Sequence, residues 1–408
     1  MSIQPPNYTF GMGRRGSSWV ATAAGATIAL AVLTTAFYMI DPIDWEGFGK
    51  FGAAALAFPL HLLVIAAPAA IAGWSLKRRG ARLAAALFAL VALTATAMAV
   101  VPSFMLWQRA RALGVSLSIR EYLSNAASVN LGQPHPERSV VYGTATEGVP
   151  LLLDVWRAET SAGSALHPAM VFVHGGAWIH GNRSGAPAWD AWLNHLGYDV
   201  FDVEYRMPPP ARWRDEVADV KCALGWVAAH AADYRLDPER ISVMGYSAGA
   251  NLAMLAAYSG GDPELPPSCP VSTVAVRSVV NLYGPCDLTI GYDVGGSIDF
   301  GRAALDRYVG GSPRQFPARY RLISPLNHVG ASTPPTITFL GQNDRIVAPG
   351  QAAMLQDALQ LAGVPEETYF LPASDHGFDF NWGSWGAQIA RAKIARFLEL
   401  HDGSSAIP

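Results

Sequence analysis

The chain has 408 residues, of which 51% are hydrophobic and only 15% charged, and its formal net charge is −3. The length exceeds one ordinary domain, and the charged fraction lies well below the usual quarter. Intrinsic disorder is excluded, the basic excess of a nucleic-acid binder is missing, and three cysteines cannot build a disulfide scaffold or a cysteine-rich zinc domain.

The apolar excess sits in the first quarter. Residues 19–40, 51–76 and 83–107 form runs of 22, 26 and 25 residues without a formal charge. Each is long enough to cross a hydrocarbon core of about 30 Å. The expectation is a transmembrane region over residues 1–107 with three helices. A buried soluble helix is the alternative for one such run, and three in a block count against it. A cleaved signal peptide is the alternative for the first run. Its apolar core exceeds the usual length of about 7–15 residues, and no clear small-x-small site follows. Trp19, Tyr38, Trp45, Trp74 and Trp107 fall at or near the run ends, where aromatic anchors belong. His61, the one titratable group at membrane depth, reads as a locally bonded neutral imidazole rather than a proton site.

Arg14 and Arg15 precede the first run. The first loop carries Asp41, Asp44, Glu46 and Lys50, and the second carries Lys77, Arg78, Arg79 and Arg82. Placing the bases inside makes the N-terminus cytoplasmic and everything after residue 107 extracytoplasmic. Arg109, Arg111 and Arg120 count weakly against this, but long domains translocate largely regardless of charge.

Residues 108–138 read as a connector with one helix, and residues 139–408 as a catalytic domain. Short apolar strands are predicted at 140–142, 151–156, 169–173, 199–203, 241–244, 276–283, 336–340 and 368–371. Helices are predicted at 217–232, 250–258, 351–362 and 387–400. This alternation gives an α/β fold, a mostly parallel central sheet with helices on both faces.

Parallel sheets place chemistry at the carboxyl ends of their strands, and four clusters stand there. Gly245-Tyr246-Ser247-Ala248-Gly249 lies between a strand and a helix. The flanking glycines permit a strained turn that lifts the Ser247 hydroxyl clear of the backbone. His174-Gly175-Gly176-Ala177-Trp178 follows another strand. Its small residues allow backbone N–H groups of Gly175, Gly176 or Ala177 to join that of Ala248 around an oxyanion. His174 reads as a loop anchor, and Trp178 and Tyr246 as pocket walls. Asp344 and His376 follow the last two strands, giving the order Ser247, Asp344, His376. A serine is a poor nucleophile at its free pKa, so His376 would take its proton while Asp344 orients the imidazole. Asp287 and Asp375 are rival acids.

These segments resemble the α/β-hydrolase superfamily, and within it the carboxylesterases and lipases related to hormone-sensitive lipase. The resemblance rests on "VFVHGGAWIHG", "YDVFDVEYRMPP", "ISVMGYSAGANLA", "SPLNHV", "GQNDRIV" and "DHGF". Two positions depart from the commonest pattern: Ala177 stands for the third small residue of the HGGG-type loop, and Tyr246 precedes the nucleophile in place of Asp. HGGxW variants are also similar to feruloyl-esterase-like, kynurenine-formamidase-like and prenylcysteine-methylesterase-like enzymes. The resemblance implies a serine ester hydrolase acting on a small-molecule or lipidic ester, with no cofactor and no metal. Membrane lipids are the other expected partner and nucleic acid is not one. An acyltransferase with the same three residues, or a dead hydrolase domain used as a scaffold, are the rivals. The oligomeric state is not legible.

Residues 285–328 separate two core strands, and their aromatic content suggests a partial cap over the site, with a long surface loop as the alternative. Cys222 reads as a small buried apolar group on a helix. Cys269 and Cys286 flank a strand and are candidates for a disulfide if the domain lies outside the cytoplasm, a pairing that the sequence leaves open.

Overall fold

A computed structural model describes residues 14–40, 49–124, 135–145, 147–158, 166–294 and 298–403. Asp41, Asp44, Trp45 and Glu46 of the first loop lie outside these residues. Two compact units divide between Met105 and Leu106.

The first unit is helical, built from α1 (Arg14–Ile40), α2 (Gly49–Ala57), α3 (Leu63–Arg78) and the start of α4 (Arg82–Ala112). Ser18–Ile40, Pro59–Arg78 and Arg82–Ala112, with 23, 20 and 31 residues, are long and apolar enough to cross a membrane. The second apolar run, expected as one helix over 51–76, is broken. Phe58 leaves helical geometry at φ −130° and ψ 48°, and Pro59–Leu62 forms a 3₁₀ turn before α3. A residue before proline avoids the α region, and proline lacks the N–H that would continue the ladder. His61 lies in that turn, edge-on to Phe58 at 5.4 Å. Small residues let the helices approach: a Cβ on Gly25 would lie 3.2 Å from Leu87, and one on Gly73 3.2 Å from the Ala85 carbonyl oxygen. Hydroxyls of Thr22, Thr35, Thr96 and Ser103 donate to carbonyls one turn back, so they bring no unpaired polar group to an apolar surround. Leu30, Val64, Ile71 and Leu93 face outward, the reverse of a water-soluble bundle.

In the second unit, eight strands among the described residues form one sheet. They are β1 (Arg138–Thr144), β2 (Pro150–Trp156), β3 (His167–Val173), β4 (Asp199–Val203), β5 (Leu236–Tyr246), β6 (Val279–Leu282), β7 (Thr336–Gly341) and β8 (Glu366–Leu371). Their order is β1-β2-β4-β3-β5-β6-β7-β8. β2 pairs antiparallel with β1 and β4, and the rest run parallel. β3, β4, β6 and β7 are buried along nearly their whole length, as a sheet covered on both faces requires. The covering helices include α5 (Ile119–Ser124), α6 (Pro187–His195), α7 (Asp215–Ala229), α8 (Ala231–Tyr234) and α9 (Ala248–Tyr258). α10 (Leu288–Asp293), α11 (Ile298–Val309), α12 (Pro317–Leu322), α13 (Gly350–Leu361) and α14 (Trp385–Asp402) complete the unit. Register aligns the strand ends: Val173 faces Gly245, Tyr246 faces Leu282, Leu282 faces Phe339, and Gly341 faces Leu371. The loops that follow β3, β5, β6, β7 and β8 therefore emerge along one edge.

The cysteine pairing differs from the expectation. Cys222 on α7 is bonded to Cys269, with Cα atoms 5.4 Å apart, while Cys286 is free and buried. The loop after α9 runs back beside α7, with Ser268 N–H donating to the Ala218 carbonyl, and so brings Cys269 to Cys222. Cys286 is instead drawn to α13, its thiol 3.1 Å from the Gln351 carbonyl oxygen.

Candidate active site

Ser247 sits between β5 and α9 with φ 54° and ψ −125°, a conformation that is costly for a residue with a side chain. The glycines around it are dictated by contact. A Cβ on Gly245 would lie 2.5 Å from the Gly249 carbonyl oxygen, and one on Gly249 2.1 Å from that of Val173. The turn is therefore closed on both sides by backbone. Ser247 N–H donates to Leu282, which ties the elbow to β6.

The loop after β3 wraps the other side of Ser247. Gly176, Ala177 and Trp178 all have positive φ, at 126°, 53° and 61°. His174 is buried, donates from Nδ1 to the Gly175 carbonyl at 2.7 Å and stacks on Tyr205 at 4.3 Å. Burial pulls its imidazole down to about 4, so it stays neutral and serves as a loop anchor. Tyr246 packs its ring against Gly175, where an added Cβ would lie 2.8 Å from it. The N–H groups of Gly176, Ala177 and Ala248 meet no backbone carbonyl among the described residues. Trp178 is pinned between Asn251, to which its indole donates at 3.3 Å, and the ring of Tyr308, stacked at 5.1 Å.

Asp344 and His376 come from the loops after β7 and β8. His376 Nε2 lies 2.9 Å from Ser247 Oγ, and its Nδ1 lies 2.8 Å from Asp344 Oδ2. The other Asp344 oxygen accepts N–H groups of Ile346 and Val347, each at 2.8 Å, which fixes the carboxylate. Burial alone would depress the His376 pKa. The charge and hydrogen bond of Asp344, with Asp375 and Asp379 adding to them, reverse this and hold it above the ordinary value. The rival acids are occupied elsewhere. Asp287 caps α10 by accepting from Thr289 and Ile290, and Asp375 accepts the His376 and Arg345 N–H groups and pairs with the Arg345 guanidinium.

A pocket of about 510 Å³, its open mouth included, descends from Ser247 between Trp178, Leu288, Phe300, Leu305 and Val347. α10 and α11 supply one wall of this pocket, so part of the insertion between β6 and β7 lies over the site. Sequence reasoning missed three residues behind the histidine: Trp189, Tyr283 and Asp379. Trp189 and Tyr283 both donate to Asp379, at 2.7 and 2.6 Å, and the Tyr283 ring lies edge-on to His376. They belong to three distant segments and carry no motif, and only the fold brings them together.

Esterase LipQ of Mycobacterium tuberculosis is 32% identical over 65% of this chain and 64% of its own. A probable isoprenylcysteine alpha-carbonyl methylesterase of Arabidopsis thaliana is 29% identical over 60% of this chain and 51% of its own. The chain thus spans less than two thirds of the length of these relatives. An acetyl ester-xyloside bifunctional hydrolase of Caldicellulosiruptor lactoaceticus has the same fold, with a TM-score of 0.56 at 21% identity over 66% of this chain and 98% of its own. The fold of the second unit is the esterase-like α/β-hydrolase fold. The BD-FAE family description matches residues 153–359, just over half of the sequence, and the chain therefore belongs to the BD-FAE family.

Proposed function

We propose that the chain is a membrane-anchored serine carboxylesterase that cleaves an apolar carboxylic ester through an acyl-enzyme. The observation that carries this reading is the continuous line from Ser247 Oγ through the His376 imidazole to Asp344, at 2.9 and 2.8 Å, opening onto an apolar pocket. Likeness to proteins named esterases supports it.

In this reading Ser247 Oγ attacks the ester carbonyl as His376 Nε2 takes its proton. Asp344 remains a carboxylate and stabilises the imidazolium through Nδ1. The N–H of Ala248, a first-turn donor of α9 without a helical partner, holds the developing oxyanion together with Gly176 or Ala177. Gly175, the other expected donor, packs against the Tyr246 ring at the start of the same loop. The intermediate collapses, His376 returns the proton to the departing alcohol, and the acyl group stays on Ser247. Water then gives its proton to His376 and attacks the acyl carbon, releasing the acid and restoring Ser247.

The pocket walls favour an apolar acyl chain. Likeness to the Arabidopsis methylesterase favours a second reading within the same chemistry, a small alcohol leaving from a lipidic acid. The three apolar helices would keep the site at a bilayer. The Cys222–Cys269 bond supports a catalytic unit in an oxidising compartment, outside the cytoplasm.

The test is labelling of membrane fractions with a fluorophosphonate probe. Wild type is expected to label and Ser247→Ala to lose both the label and ester hydrolysis. Equal labelling of the two proteins would sink the reading. Acyl transfer to an added alcohol, exceeding hydrolysis, would move the assignment to an acyltransferase.

A further inference from the structure

His376 has a second buried carboxylate near it that the mechanism above does not use. Asp379 is 4% exposed, yet it forms none of the ion pairs among the described residues. Its oxygens are held by two aromatic donors: the Trp189 indole N–H on α6 gives 2.7 Å to Oδ2, and the Tyr283 hydroxyl gives 2.6 Å to Oδ1. Tyr283, fully buried directly after β6, is held at φ 43°, a left-handed conformation that a bulky side chain rarely adopts. Its N–H is fixed by the Phe339 carbonyl at 2.8 Å, and its ring stands edge-on to the His376 imidazole with centroids 4.6 Å apart. Buried charge is retained at a desolvation penalty, and hydrogen bonds from two neutral donors offset only part of it.

We propose that Asp379 is a positioning residue for His376, acting through Tyr283 and through its own charge. The carboxylate holds the Tyr283 ring against one side of the imidazole, which keeps Nε2 aimed at Ser247. It also supplies a second fixed negative charge when the imidazole becomes imidazolium, in a site where water does not screen it. This inference rests on the reading of Ser247, His376 and Asp344 given above.

The charged and titratable groups around the pair are few. His376 is faced by Ser247, by Asp344, by Asp375 with its partner Arg345, by Tyr283 and by Asp379. Asp379 is faced by Trp189, Tyr283 and His376, and more remotely by Tyr246 and by Arg391 on α14, which is itself paired with Glu121 on α5. Asp379 and His376 act on each other electrostatically, and burial holds the Asp379 carboxyl above its ordinary value.

The test is kcat and KM for p-nitrophenyl butyrate against pH, on the full-length protein in detergent. Asp379→Asn keeps the shape and an acceptor oxygen but removes the charge. The acidic limb of kcat/KM is expected to move down by about one pH unit, and plateau kcat to fall about tenfold with little change in KM. Tyr283→Phe keeps the charge and cuts the tie, so it is expected to lower kcat with a smaller displacement of the limb. A limb and kcat unchanged in both variants would overturn the proposal and leave Asp379 a packing residue. Should Asp379→Asn fail to fold, Tyr283→Phe decides alone: unchanged kcat overturns the proposal. Failure of the underlying reading is seen separately, as fluorophosphonate labelling that survives Ser247→Ala.

Discussion

His376 shows how a single side chain is tuned by its surroundings. Burial, the largest single influence, pushes its pKa down, and the adjacent Asp344 carboxylate together with Asp375 and Asp379 raises it above the ordinary value. In the role proposed for it, as a general base, His376 works only when unprotonated, so a raised pKa moves the loss of activity to higher pH. The acidic limb of kcat/KM is therefore expected above the ordinary histidine value of about 6.5, with activity falling as pH drops through it. His174, held at about 4 by burial, adds no second limb in that range. In Asp344→Asn the limb should move down and kcat/KM should fall by about 10⁴-fold, because the imidazole loses both its counter-charge and its orienting acceptor. A pH–rate profile of both proteins checks this, and a limb that stays in place on loss of Asp344 would refute it. The meeting of Ser247, Asp344 and His376 was legible in the sequence, since they stand in loops with recognisable glycine punctuation. The support behind His376 was not. Trp189, Tyr283 and Asp379 touch only after α6, β6 and the loop after β8 have packed, and no local pattern marks them.

At the level of elements, the strands were readable because each short apolar run lies between turn residues, whereas helix breaks and the cysteine pairing depended on packing. Pro59 ends one helix in the middle of an unbroken apolar run. Cys222 meets Cys269 only because the loop after α9 doubles back on α7. The wall formed by α10 and α11 carries a test of what enters the pocket. Gly301 on α11 lines the pocket, and an added Cβ there meets no heavy atom within 4 Å. Gly301→Leu can therefore extend into the space without displacing the backbone. Hydrolysis of an octanoyl ester is expected to fall about tenfold relative to the acetyl ester, the effect of excluding one or two methylenes from an apolar site. Ratios of kcat/KM for a series of p-nitrophenyl esters measure it. An unchanged ratio would place the acyl chain elsewhere.

On the scale of the whole molecule, the charge pattern and the disulfide bear on the same question from independent chemistry. Lys77, Arg78, Arg79 and Arg82 cluster in the loop between the second and third apolar segments, and such bases stay in the cytoplasm. In the proposed orientation an odd number of spans would carry the α/β unit to the opposite side, and a disulfide within that unit persists in an oxidising compartment and not in a reducing one. Cysteine accessibility separates the two orientations. Arg79→Cys leaves the other three loop bases in place, and Glu239→Cys puts a thiol on an exposed position of the α/β unit. The native thiols do not interfere, since Cys222 and Cys269 are bonded and Cys286 is buried. A membrane-impermeant maleimide is expected to label Glu239→Cys in intact cells, and Arg79→Cys only after lysis. The reverse pattern would put the proposed esterase site in the cytoplasm, where the disulfide would have no oxidising surround to sustain it. Labelling of both in intact cells would mean that the apolar helices do not span the bilayer as a set, because no odd number of crossings leaves both positions on one side.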